Sequence, residues 1–197
     1  MTAEKRPYTK KRRAELEEQT RLRITESTVE LHGTLGPSRT SISAVAERAG
    51  VRRSTVYRHF PDEAALFDAC SSHWESANPL PDPAPWEAIE DAHERLRTAL
   101  GDLYAFYRRT EAMMVNLHRD EVTMPLVRDR FTGFKDYLHA TRDLLLQGRR
   151  ERGRRREQTR AAIGHALAFA TWHSLAREQG LDDGQAVELM SRLAAGA

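Results

Sequence analysis

Apolar residues along the chain recur at spacings of three and four, the period of one helix face. Strand signals are weak: no Asn-Gly or Asp-Gly pair sits between alternating apolar runs, and Asp183-Gly184 precedes a helical pattern. The pattern predicts an all-α protein. A first helix is expected over 14–32, with Ile24, Thr28 and Leu31 on its core face, ended by Gly33, Gly36 and Pro37. A second runs from near Ser41 to Gly50, and a third follows at once and ends near Phe60. Pro61 suits the first position of a fourth helix, and Asp62 and Glu63 complement its positive end. Further helices are expected over 86–109, 111–118, 124–147, 157–178 and 183–195. Gly180 stops the first of the final pair, and Asp182 or Asp183 caps the second.

Two interruptions organise this series. Four of the eight prolines fall in Asn78-Pro79-Leu80-Pro81-Asp82-Pro83-Ala84-Pro85, a spacing that predicts an extended, stiff joint. The chain then reads as a flexible basic arm (1–13), a head (14–77), the joint (78–85) and a C-terminal body (86–197). The second interruption, residues 149–156, carries six arginines and reads as a solvated loop or, alternatively, a polybasic patch.

Charge sharpens the division. Residues 1–60 hold 13 Lys and Arg against 7 Asp and Glu, a net of +6, whereas the whole chain carries only +2. A basic first third either meets a polyanion or is a solvated face that happens to be basic. The single cysteine, Cys70, forms no intramolecular disulfide, and no apolar stretch follows the first charges as a secretory leader requires. The longest uncharged apolar run, 161–176, falls short of a span of ~20 residues and contains Gly164, His165, Thr171, His173 and Ser174. It reads as a buried helix, and the expected location is the cytoplasm, away from any membrane.

The candidate chemistry lies in 41–60. Ile42, Val45, Ala46 and Ala49 form one apolar face, and Ala46 is small enough for close helix approach. Gly50 permits the left-handed turn and Val51 plugs the corner. Val56 and Phe60 anchor the next helix inward. Arg52, Arg53, Ser54, Thr55, Tyr57, Arg58 and His59 remain for an outward surface rich in groups that contact phosphates and base edges. This spacing also occurs in ordinary packed helix pairs. Nothing suggests an enzyme: metalloprotease, Walker, dinucleotide and nucleophile-elbow motifs are all missing. His165 and His173 lie two turns apart without an acidic partner on that face. No catalytic residue, metal or cofactor is expected.

The same stretch resembles the DNA-binding head of the TetR family of bacterial regulators. The residues that carry the likeness are Ile42, Val45-Ala46, Ala49-Gly50-Val51, Thr55, Val56-Tyr57, His59-Phe60-Pro61 and Ala65-Leu66, ungapped over 41–67, with Ile24, Leu31 and Gly36 fitting more loosely. Departures are Arg52 where Ser or Thr is usual, Glu63 for a common Lys, His32 for a common Phe and Pro37 for a common aromatic.

The resemblance implies about nine helices, a three-helix head and a ligand-binding, dimerising body. It implies a transcriptional regulator, most often a repressor, released from a palindromic operator in double-stranded DNA by a small-molecule effector. Arg53 and Thr55, with Arg52, are then expected at bases. Ser54 joins that surface, and Tyr57, Arg58 and His59 are expected at phosphates. Thr40 and Ser41 sit at a helix N-terminus that favours phosphate. Lys10, Lys11, Arg12 and Arg13 either follow the DNA or form a solubilising end.

A homodimer is expected through Ile163, Leu167, Trp172, Leu175, Val187, Met190 and Leu193. The run 161–176 is apolar on nearly every side and must be buried all round, by a partner or within one subunit. Candidate pocket residues are Tyr104, Tyr107, Met113, Met114, Phe131, Phe134, Tyr137, His165, Phe169 and Trp172, which equally suit a plain core.

Overall fold

The computed structural model describes residues 5–196. Helices α1 (Lys5–Thr34), α2 (Ile42–Arg48), α3 (Arg53–His59) and α4 (Glu63–Ala77) come first, with a 3-10 turn at Pro37–Arg39. Then follow α5 (Ala84–Glu87), α6 (Ala92–Asp120), α7 (Pro125–Leu145), α8 (Gly153–Leu167), α9 (Phe169–His173), a π turn (Ser174–Glu178) and α10 (Asp183–Ala195). Among the described residues there is no strand, so the all-α expectation holds. Among the described residues, no helix is long and apolar enough to cross a membrane.

Several boundaries differ from the sequence reading. The arm expected over 1–13 is helical from Lys5, because nothing between Lys5 and Ala14 breaks a helix after Pro7, which lies in its first turn. The Lys10 side chain lies outside the described residues. The two helices expected over 86–109 and 111–118 are one, since Thr110 keeps its hydroxyl in the helix by donating to the Phe106 carbonyl at 2.6 Å. The joint ends sooner than expected: Pro83 precedes the short α5, whose Trp86 is fully buried and donates to Asp102 at 2.8 Å. The arginine-rich segment is not wholly a solvated loop. Arg149 is buried and donates to the Leu145 carbonyl, and α8 already starts at Gly153.

The chain forms two compact units: residues up to Ala77 with Val115–Val127, and Asn78–Met114 with the residues from Arg128 onward. The end of α6 thus belongs to the head, which the sequence reading did not foresee. In the head, Ile24 of α1, Ile42, Val45, Ala46 and Ala49 beside α2, Val56 and Phe60 beside α3, and Leu66 of α4 make one buried cluster, with Leu31, Val51 and Ala69 packed on it. Each large member contributes about 1.5–3 kcal/mol by leaving water. A second cluster joins Phe67, Cys70 and Val127, flanked by Val29, Leu117 and Met124.

In the other unit, Tyr107 lies among Tyr104, Phe134, Phe169 and Trp172, with ring centroids 5.3–6.4 Å away. This core takes in residues nominated for the dimer face. Ile163, Leu167, Trp172, Val187 and Met190 are buried within the single chain, because α8 and α10 pack on each other and Trp172 inserts beside Tyr107. Leu175 is half-buried, and Leu193 is 56% exposed.

His32, on α1, is buried beside the Phe67 ring and 3.5 Å from the Cys70 sulfur, and burial pushes it down to about 4 despite the nearby Asp120 carboxylate. The unfolded chain takes up a proton near the ordinary histidine value of about 6.5, and the folded head refuses it down to about 4. His32 therefore leaves stability intact above about pH 6.5 and erodes it as the pH falls toward 4. Between neutral pH and about pH 5 the expected loss is about 2 kcal/mol. Thermal melts at the two pH values check this. His32→Phe should remove that part of the acid sensitivity, and an unchanged pH dependence in the variant refutes the assignment.

Candidate nucleic-acid interface

Helix α2 is capped by Ser41, whose hydroxyl oxygen accepts from the Ala44 amide at 3.2 Å. Its end is closed by Gly50 at φ 65, with the Gly50 amide on the Glu47 carbonyl and the Val51 amide on the Ala46 carbonyl. This left-handed cap is cheap only for glycine, and it drops Val51 onto the head core. The chain turns directly into α3.

Helix α3 has only seven residues and buries Val56, with Phe60 buried just past its end. Arg52, Arg53, Ser54, Tyr57 and Arg58 are exposed together, and Thr55 is half-buried at their edge. Five of the seven residues nominated over 52–59 are thus exposed, with Thr55 at their edge. His59 departs from that group: it is half-buried, its Nε2 is enclosed, and burial holds it below the ordinary imidazole range. Thr40 turns inward as well, donating to the Gly36 carbonyl at 2.8 Å. Lys11, Arg12 and Arg13 are exposed on α1 and so form part of a helix.

Sequence reasoning missed the residues that hold this surface in place. Arg21 of α1 donates to the His59 carbonyl at 2.8 Å and lies 4.3 Å over the Phe60 ring, closing the end of α3. Arg48 and Glu30 pair across α2 and α1. Asn116, near the end of α6, donates to the carbonyls of His32 and Gly33 at 3.0 and 2.9 Å. Arg119 donates to Leu35, and Asp120 accepts from the Ser38 amide at 2.9 Å. Asp120 is buried, and its Arg119 and Ser38 partners hold its carboxyl below the usual carboxylate range. Together these fix the connection from α1 to α2 and the exposed Ser38 and Arg39 on it. No sequence signal marks them beyond polar residues in an apolar helix pattern.

The nominated pocket residues divide. Tyr104, Tyr107, Met113, Met114, Phe131, Phe169 and Trp172 are buried, and Phe134 and Tyr137 are half-buried, but His165 is exposed and lies outside that core because it faces away on α8. A surface groove of about 490 Å³ between α7 and α8, with Leu138, Arg142, Arg160 and Gly164 among its walls, includes none of them.

Residues 24–70 match the family model described as bacterial regulatory proteins, tetR family. The chain carries a TetR-family DNA-binding head. No curated protein matches the chain. Solved structures extend the likeness over nearly the whole fold. A TetR-like transcriptional regulator from Rhodococcus sp. RHA1 is 20% identical with a TM-score of 0.63, covering 91% of this chain and 93% of that one. A TetR transcription regulator from Haloarcula marismortui is 13% identical with a TM-score of 0.57, covering 91% and 96%. FadR from Bacillus subtilis, solved with stearoyl-CoA, is 17% identical with a TM-score of 0.56, covering 88% and 95%. The TetR-type regulator fold and the helix-turn-helix are therefore shared features of this chain and its neighbours.

Within this TetR-family head, Arg52 occupies the N-cap of α3 and makes no side-chain cap bond. A serine there would satisfy an open amide and contribute about 1 kcal/mol. Arg52→Ser should therefore raise the melting temperature while weakening binding to DNA. Melting and gel-shift titration of the same preparation check both, and a variant that is stabilised with unchanged DNA affinity removes Arg52 from the interface.

Proposed function

We propose that the chain is a homodimeric transcriptional repressor that reads a palindromic operator and leaves it when a small-molecule effector binds the C-terminal body. The observation that carries this reading is the exposed arginine and hydroxyl surface of α3, held rigid by a buried core on its other side. Arg53 and Thr55, with Arg52, face base edges in the major groove, where arginine forks onto guanine. Ser54, Tyr57, Arg58 and the exposed Ser38 and Arg39 reach phosphates. Lys11, Arg12 and Arg13 add charge along the backbone. His59 and Thr40, turned inward, take a supporting part.

One head covers too little surface for tight, specific binding, and two heads spaced about 34 Å apart match one helical turn of DNA. The dimer face we assign differs from the sequence expectation. It uses the outer sides of α8 and α10, where Leu193 is exposed, Leu189 is half-buried and the small residues Ala161, Gly164 and Ala168 allow close approach. The effector reading is supported by the aromatic cluster around Tyr107 and by structural neighbours solved with small molecules, FadR with stearoyl-CoA among them.

Selection of bound sequences from random duplex DNA should enrich a short palindrome. Arg53→Ala should weaken that site by about 1–3 kcal/mol and relax one position in each half. Recovery of no enriched sequence refutes the assignment of α3. Leu193→Glu should shift the protein toward monomer in sedimentation and lower operator affinity together. A dimer that survives this change moves the interface elsewhere.

A further inference from the structure

Helix α8 ends at Leu167 and α9 begins at Phe169, although the local sequence favours one unbroken helix. Residues 161–170 include five alanines and no proline, and alanine is the strongest helix former. Between the helices Ala168 is extended, at φ −71 and ψ 136. A sharp interruption needs a cause, and here it is side chains inserted at the carbonyl ladder.

The Thr171 hydroxyl donates to the His165 carbonyl at 2.6 Å. Tyr104, from α6, donates to the Ala166 carbonyl at 2.9 Å, and Tyr107 donates to the Leu167 carbonyl at 2.6 Å. In an unbroken helix the same three carbonyls would accept from the amides of Phe169, Ala170 and Thr171. Three hydroxyls thus stand where three backbone amides would. The Thr171 amide instead turns to the Ala168 carbonyl, which also accepts from its ordinary helical donor, the Trp172 amide, and the Ala168 amide donates to the His165 carbonyl at 3.1 Å. Both phenols are buried, which raises them well above the ordinary phenol range, so they stay protonated donors. A π turn follows at Ser174–Glu178, so the chain departs from regular α geometry beyond the break as well.

We propose that the junction of α8 and α9 is a two-register switch, its carbonyls held by Tyr104, Tyr107 and Thr171 in one state and by the amides of α9 in the other, and that effector release of DNA runs through this exchange. The proposal rests on the effector-released repressor reading. Local preference favours the closed register, and tertiary hydrogen bonds favour the broken one, which is the balance a bistable element requires.

The test uses the full chain with the double substitution Tyr104→Phe and Tyr107→Phe. Phenylalanine keeps the aromatic packing and removes only the donors. Amide hydrogen exchange should slow about tenfold or more at Ala170 and Thr171, as the released carbonyls take their helical partners. Exchange that is unchanged or faster there overturns the switch, since the hydroxyls then merely cap a fixed break. Thr171→Val, read at the Phe169 amide with the same two outcomes, serves if the double variant does not fold. Operator titration of the same protein separates the layers. Slowed exchange with operator affinity lowered at least threefold supports the full proposal. Slowed exchange with unaltered affinity keeps the two registers and overturns their link to DNA release.

Discussion

The burial of Val56 and Phe60 is the contact on which the DNA-facing surface depends. A seven-residue helix is far too short to persist alone in water. Helix α3 exists because one side is pinned into the cluster formed with Ile24, Val45 and Ala46, and because Arg21 closes its last carbonyl and covers the Phe60 ring. The same pinning decides which residues face outward. Rotating α3 by one position would expose Val56 and bury an arginine, so the chemistry of the surface and the stability of the core are set by one register.

That surface costs the head some stability. Arg52 stands at an N-cap where a hydroxyl would complete the helix, and three arginines lie within a few residues of one another. Like charges there repel, and Arg52 and Arg53 gain nothing from the positive end of α3. The arrangement makes sense when a polyanion is the partner, since phosphate neutralises the cluster and the open helix end. Glu63, in the first turn of α4, runs the other way: it suits its own helix and leaves no cation at a position where TetR-like heads commonly have lysine. In the proposed complex, backbone contact then falls to Arg58, Arg39 and the exposed Lys11, Arg12 and Arg13 of α1.

How much of this was legible in the sequence follows from where the information resides. The helix-turn-helix was readable because its constraints are local: Gly50 for a left-handed turn, Ala46 for close approach, and apolar spacing over 42–60. The start of α1 and the unbroken run of α6 through Thr110 were misjudged, since polar segments carry no period and Thr110 looks like a breaker until its hydroxyl is seen in place. Ile163, Leu167, Trp172, Val187 and Met190 were nominated for a dimer face for a related reason, and they lie buried within the single chain. Periodicity marks a helix as apolar on most sides, but not its neighbours, and here α10 and the aromatic core of the same chain bury one side while Ala161, His165 and Ala170 stay exposed. His59 and His165 were misplaced because a side chain's direction at a helix end depends on what packs there.

The residues hardest to foresee share one task. Arg21 serves the carbonyl that ends α3, and Asn116 and Arg119 serve those that end α1. Arg95 donates to Ile89, Glu90 and Gln147, Arg149 to Leu145, and Tyr104 and Tyr107 to the end of α8. Helix termini leave carbonyls that must find donors, and this chain supplies many of them from helices distant in sequence. Such an arrangement makes helix length a tertiary property. Moving one helix by a fraction of its pitch withdraws donors from the end of another, so the end must fray, extend or find a substitute. For α3 that sensitivity bears directly on the DNA-facing arginines. For α8 the substitute is already at hand in the amides that follow, and so a shift of two tyrosines can be answered by a change in where a helix stops.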